Sequence, residues 1–102
     1  MSTDVAARPR FDLDSGWELN KAVSIRPERF GALLYHFGTR RLSFLKSPAL
    51  LAVVRALGEH ATAREACVVC GVPVEELPRY GAALATLASS DMIVAAGTGS
   101  ES

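Results

Sequence analysis

At 102 residues and 49% hydrophobic, the chain has the size of one small domain that can form its own core. Eleven basic and eleven acidic residues cancel, which argues against a protein that works through bulk attraction to nucleic acid or a membrane surface. No apolar run approaches the ~20 residues that a membrane-spanning helix needs.

Charge is unevenly placed: eight basic and four acidic residues lie between Arg8 and Lys46, and three basic and six acidic from Ser47 onward. The first ten residues hold charges and a proline but no apolar run, unlike a signal peptide, so a cytoplasmic location is expected. Two cysteines fit that setting.

Residues 1–15 are polar, small and proline-containing and are expected to be a disordered tail. The folded domain is expected over 16–95, with 96–102 (Gly97-Thr98-Gly99-Ser100-Glu101-Ser102 for the most part) as a second tail. Trp17 and Leu19 open the ordered region. Ala22–Arg26 alternates weakly and reads as a first strand, ended by Pro27, which cannot donate to a ladder.

Arg29–Leu45 reads as a β-hairpin with strands Phe30–Phe37 and Arg41–Leu45. Its arms meet at Gly38-Thr39, and glycine as the first of two loop residues predicts a type II′ turn. That register pairs Phe37 with Arg40, Tyr35 with Leu42 and Leu33 with Phe44. One face then gathers Leu33, Tyr35, Phe37, Leu42 and Phe44, and reads as core. The other carries Ala32, Leu34, His36, Arg41, Ser43 and Leu45, a mixed set.

Three helices follow. Ser47-Pro48 supplies a cap and an N1 proline, and Leu50, Leu51, Val54 and Leu57 form an apolar stripe that stops at Gly58. Thr62 and Glu65 form a capping box for a second helix, which runs through Cys70 to Gly71. A third runs from about Val74 or Pro78 to Ser89, with Leu77, Tyr80, Leu84 and Leu87 on one face and Pro78 confined to the first turn. Met92-Ile93-Val94 is expected as a short extended piece on the core. The order predicts an α+β fold: a three-stranded antiparallel sheet followed by three helices on one face.

Motifs for chemistry are sparse. Cys67-Val68-Val69-Cys70 has redox or metal spacing, but no second Cys/His pair completes four ligands, and the pair reads as small thiols facing the core. His36 and His60 are isolated. There is no phosphate loop, paired-carboxylate motif or serine elbow, so no catalytic residue, metal or cofactor is expected. A winged-helix DNA regulator is the alternative class. The third helix argues against it: it offers Arg79, alanines, Thr86 and serines behind an acidic first turn of Glu75 and Glu76.

Because everything after Lys46 reads as helix, no later strand covers Arg41–Leu45. An open sheet edge is either blunted or used. Arg40, Arg41 and Lys46 bracket it, either as gatekeepers that keep it soluble or as a lure for an acidic peptide added as a strand. Gly81, Ala82, Ala83, Ala85 and Ala88 keep the third helix thin, which would leave a shallow groove beside that strand. From the residues, both readings stand.

Val23–Glu28, Phe30–Phe37 and Arg41–Lys46 resemble the peptide chaperone family of mycofactocin biosynthesis. So do Leu50–Leu57, Cys67 with Gly71-Val72, and Leu77-Pro78 ahead of Ala83–Leu87; the likeness spans Trp17 to Val94. Cys70 lies outside it. The resemblance implies a PqqD-like, winged-helix-like recognition element without catalysis or cofactor. Such an element binds the leader of a ribosomally made precursor peptide and presents it to a radical S-adenosylmethionine maturase. It further implies that the leader adds beside Arg41–Leu45 and lies against the third helix. The implied peptide-binding residues are Arg40, Arg41, Leu42, Ser43, Phe44, Leu45 and Lys46, with Arg79, Tyr80, Ala83, Leu84 and Leu87 as the helical wall.

Overall fold

The computed structural model describes residues 10–96. The expected C-terminal tail from 97, and the first nine residues of the expected N-terminal one, lie outside the described residues. The elements run β1 (Trp17–Leu19), β2 (Val23–Glu28), β3 (Gly31–His36), β4 (Leu42–Leu45), α1 (Pro48–Ala56), α2 (Ala63–Val69), α3 (Leu77–Ser89) and β5 (Ile93–Ala95), with 3₁₀ turns at Leu57–Glu59 and Val74–Glu76. The class is α+β, as expected. β2-β3-β4 form an antiparallel meander; α1 packs on one of its faces, and α2 and α3 complete the core behind it.

Two pieces read only as flanking segments form a sheet of their own. β1 and β5 pair antiparallel, Trp17 opposite Ala95 and Leu19 opposite Ile93. Trp17 is buried and donates its indole N–H to the Asp12 carbonyl at 3.0 Å, with the Phe11 ring 5.1 Å away. Residues 11–15, expected in the tail, are therefore held. Arg64 grips Asp14 at 2.7 Å and 3.2 Å, and Leu13 covers Gly81 of α3. The Arg64 hydrogen bond holds the exposed Asp14 carboxyl below the usual carboxylate range.

β2 runs on to Glu28 through Pro27 rather than stopping there. Phe37 N–H donates to the Ala22 carbonyl, so hydrogen-bonded pairs with β3 fall at Ser24, Arg26 and Glu28. The missing N–H of Pro27 faces the open side of an edge strand, where no partner is lost.

The hairpin register Tyr35–Leu42 and Leu33–Phe44 is present, but the tip is different. His36 N–H bonds the Arg41 carbonyl, and Phe37–Arg40 form a four-residue loop closed by Arg40 N–H to the His36 carbonyl at 2.7 Å. The only positive φ in this loop is at Arg40 (65°), which rules out the expected type II′ turn. His36 is the cause: its Nδ1 accepts the N–H groups of Gly38 and Thr39 at 3.0 and 3.1 Å. The loop curls around the imidazole. A Cβ on Gly38 would meet His36 Cε1 at 2.9 Å, so glycine supplies room here, not handedness.

The expected sidedness of the sheet is reversed. Ala32, Leu34, His36 and Leu45 are buried, and the three apolar ones share a core cluster with Val53, Val54, Leu57, Cys67, Leu84 and Met92. Leu42 (61% exposed), Phe44 (47%) and Phe37 (62%) face solvent with the half-buried Leu33 and Tyr35. Both faces are apolar enough to be covered, so alternation alone could not choose. Packing chose the face with Ala32, where a small side chain lets α1 approach, and with His36, whose ring Nδ1 finds two backbone N–H donors while Nε2 lies 3.2 Å from the Asn20 side-chain amide.

The helices start as their caps dictate. Ser47 Oγ accepts from Leu50 N–H, and Thr62 Oγ1 from Glu65 N–H, each at 3.0 Å. Glu65 reaches back to Ala61 N–H at 3.1 Å. α1 buries Val53 and Val54 and the 3₁₀ turn after it buries Leu57, with Leu50 and Leu51 half-covered. Gly31 lies where β4 turns into α1: a Cβ there would collide with the Leu45 carbonyl. Among the described residues, no helix is long and apolar enough to cross a membrane.

The reversed sheet makes a direct prediction for urea unfolding. Leu34→Ala should lose about 2–5 kcal/mol, the cost of a core cavity. Leu42→Ala should stay within about 0.5 kcal/mol of the parent, as an exposed position does. Equal losses would contradict the burial of one face.

Candidate peptide-binding site

β4 is an edge of its sheet, and its alternation decides which main-chain groups are spoken for. The bond from His36 N–H to the Arg41 carbonyl makes Leu34–Ser43 and Ala32–Leu45 the other hydrogen-bonded pairs. Ser43 and Leu45 thus point their polar backbone inward, to β3, as does the Arg41 carbonyl, while Arg41 N–H donates to Thr39 Oγ1. Leu42 and Phe44 point theirs outward, and among the described residues nothing on the chain bonds them.

α3 runs beside this edge in the opposite direction. Two hollows of about 390 Å³ each mark the ends of the line between them. The first, at the C-terminal end of β4, is lined by Lys46, Ser47, Leu50, Arg79, Tyr80 and Ala83. The second, at the hairpin tip, is lined by Thr39, Arg41, Ser89, Ser90 and Asp91.

The residues singled out from sequence divide accordingly. Lys46, Arg79, Tyr80 and Ala83 come together at the first hollow, and Arg41 lines the second with Arg40 beside it. Ser43 is half-buried on the helix side, while Leu42 and Phe44 present backbone to the edge and side chains to the opposite face. Leu45, Leu84 and Leu87 are closed inside the core, so they support the groove without lining it. Leu50, Ser47 and the Ser89–Asp91 turn were missed; only Leu50 carried a signal, as a member of an apolar stripe whose exposure depends on how α1 rolls.

Basic side chains bracket the edge. Among the described residues Arg40, Arg41 and Lys46 have no ion-pair partner, whereas Arg79 is bonded to Glu76 at 3.3 Å. That leaves α3 with no unpaired basic side chain for a phosphate backbone, and Arg64 of α2 is held by Asp14. Neither helix is equipped as a recognition helix.

The cysteine pair separates. Cys67 is buried and Cys70 exposed, because α2 ends at Val69 and Cys70 caps it. The expected shared inward face therefore does not exist. Burial pushes the Cys67 thiol up, which leaves it protonated and inert. Among the described residues no three His, Cys, Asp or Glu side chains are grouped to hold a metal ion.

The model of the Peptide chaperone MftB family matches residues 16–94. The chain belongs to the MftB peptide chaperone family. Proteins named Peptide chaperone MftB are similar over most of its length. That of Mycobacterium ulcerans is 56% identical over 82% of this chain and 77% of its own. That of Mycolicibacterium smegmatis is 49% identical over 92% of each chain. That of Mycobacterium tuberculosis is 52% identical over 82% of this chain and 77% of its own. No solved structure matches. The MftB match runs from just before β1 to the middle of β5, so it takes in the sheet edge, α3 and both hollows.

Alkylation separates the two thiols. Iodoacetamide should modify Cys70 of the folded protein and reach Cys67 only in denaturant, as mass spectrometry of the digested protein would record. Equal labelling of both in the native state would contradict the placement of Cys67.

Proposed function

We propose that the chain is a non-catalytic chaperone of mycofactocin biosynthesis that binds the leader of the precursor peptide as a fourth strand beside β4. It then presents the peptide to a radical S-adenosylmethionine maturase in the cytoplasm. The observation that carries this reading is the outward N–H and C=O groups of Leu42 and Phe44, next to a helix that leaves a groove. Strand addition supplies main-chain hydrogen bonds for affinity and pockets for alternate side chains. Arg40, Arg41, Ser43, Lys46, Arg79, Tyr80 and Ala83 are the surface it offers on the groove side, and Leu42 and Phe44 supply the ladder. Membership in a family of peptide chaperones supports a peptide ligand.

The mechanism is tethering. A leader held at β4 keeps the far end of the same peptide at an effective concentration of order millimolar near a docked enzyme. Radical chemistry, iron–sulfur cluster and S-adenosylmethionine belong to the maturase. The chaperone contributes a rigid edge on which the flexible leader becomes ordered.

A proline at Leu42 removes an outward N–H and leaves the ladder to β3 intact, whereas Ser43→Pro would break that ladder. Leu42→Pro should therefore weaken binding of the synthetic mycofactocin precursor roughly tenfold relative to Leu42→Ala, in calorimetry. Identical affinities in two folded variants would remove edge pairing.

Charge should govern the encounter. Arg40→Glu with Arg41→Glu should slow association with an acidic leader by roughly tenfold or more at low salt, and added salt should slow the parent. Stopped-flow rates insensitive to both would show that the basic bracket serves solubility alone.

A further inference from the structure

The sheet has an apolar face that the core does not use. Leu33, Tyr35, Phe37, Leu42 and Phe44 lie together on it, and Tyr35 meets Phe37 edge-on with ring centres 5.0 Å apart. Contiguous apolar surface of this kind marks an interaction site more often than an accident of composition. Its position relative to the edge identifies the occupant.

The two residues whose backbone groups face outward from β4 are Leu42 and Phe44, and these are the two whose side chains lie on the apolar outer face. In a pleated sheet, residues opposite one another on neighbouring strands place their side chains on the same face, with Cβ atoms roughly 4.5–5.5 Å apart. Whichever direction an added strand runs, the residues opposite Leu42 and Phe44 must stand on that outer face. The residue between them must point the other way, toward Tyr80 and Ala83.

We infer that the bound leader is read on both faces of the sheet it extends: two large apolar side chains, two residues apart, lie on the outer patch, and acidic residues flank them. This inference rests on the strand-addition reading above and adds the sequence pattern of the ligand. The acidic flanks follow from charge. Arg40 and Arg41 precede the edge, Lys46 follows it, and none has an ion-pair partner among the described residues.

A second copy of the chain fits the same edge less well. Antiparallel self-pairing that uses both outward residues is centred on Ser43 and sets Leu42 against Phe44 of the other copy. The same register brings Arg40 against Lys46 at both ends, and like charges directly opposite are unfavourable. An acid-flanked peptide turns both ends into attractions.

The test uses the full chain and the synthetic full-length mycofactocin precursor. In NMR of the complex, two alternate leader residues should give NOEs to the Leu42 methyls and the Phe44 ring, and the residue between them to Tyr80 and Ala83. In calorimetry, Phe44→Ser and Tyr35→Ser should each weaken binding tenfold or more while thermal unfolding shows them folded. NOEs confined to Tyr80, Ala83 and Leu50, with unchanged affinity of Phe44→Ser, would overturn the outer-face reading. If Leu42→Pro still weakened binding relative to Leu42→Ala in that case, strand addition would survive without it. If neither kind of variant mattered, both would fall. Sedimentation of the free chain supplies the last arm: a dimer that Phe44→Ser dissociates without changing peptide affinity would assign the patch to a second copy and overturn the inference. Should the serine variants unfold, the NOEs of the unmodified protein decide alone.

Discussion

A three-stranded sheet has two faces and two edges, and the helices that follow it in this chain cover one face. Everything else is arranged around that shortage. The covered face holds Leu34, Ala32 and Leu45 in one cluster with Val53 and Val54 of α1, Leu57 of the 3₁₀ turn that follows it and Leu84 of α3, and this is the core. Full burial of a leucine side chain is worth about 1.5–3 kcal/mol, so the handful at this contact dominates the stability of a small domain. The uncovered face and the edge at β4 are what remains for an interaction.

The polar features serve the same geometry. His36 is buried where an apolar residue would be expected, and its ring organises the hairpin tip through the backbone of Gly38 and Thr39 and reaches Asn20. Asn20 in turn donates to the Asp91 carbonyl just ahead of β5, and accepts from Ala22 N–H ahead of β2. One imidazole and one amide thus join the hairpin tip, the entry to the meander and the end of α3. Arg41 emerges from this junction into the hollow beside Ser89 and Ser90.

The stretch that matches the MftB family includes β4 and its open edge. A peptide chaperone needs a surface that accepts variable side chains without demanding a folded partner. Main-chain pairing provides that, because every residue except proline carries the same donor and acceptor.

Local rules were readable from residue order. Ser47-Pro48 and Thr62 with Glu65 announced two helix starts, Pro78 was confined to a first turn, and Tyr35–Leu42 was paired in the right register. The edge at β4 was also legible, since the only extended piece expected after Lys46 was Met92-Ile93-Val94, and in the fold it joins β1 instead. These depend on groups a few residues apart, where backbone geometry leaves few choices. What only the tertiary structure decided was sidedness and closure. Leu33, Tyr35, Leu42 and Phe44 alternate as well as any core set, yet they face water, because the choice between two apolar faces belongs to the helices that arrive later. The turn at Gly38-Thr39 obeyed the His36 ring rather than its dipeptide preference, and β1 found β5 across more than seventy intervening residues. Such outcomes depend on which distant surfaces bury each other, a quantity that no window of sequence contains.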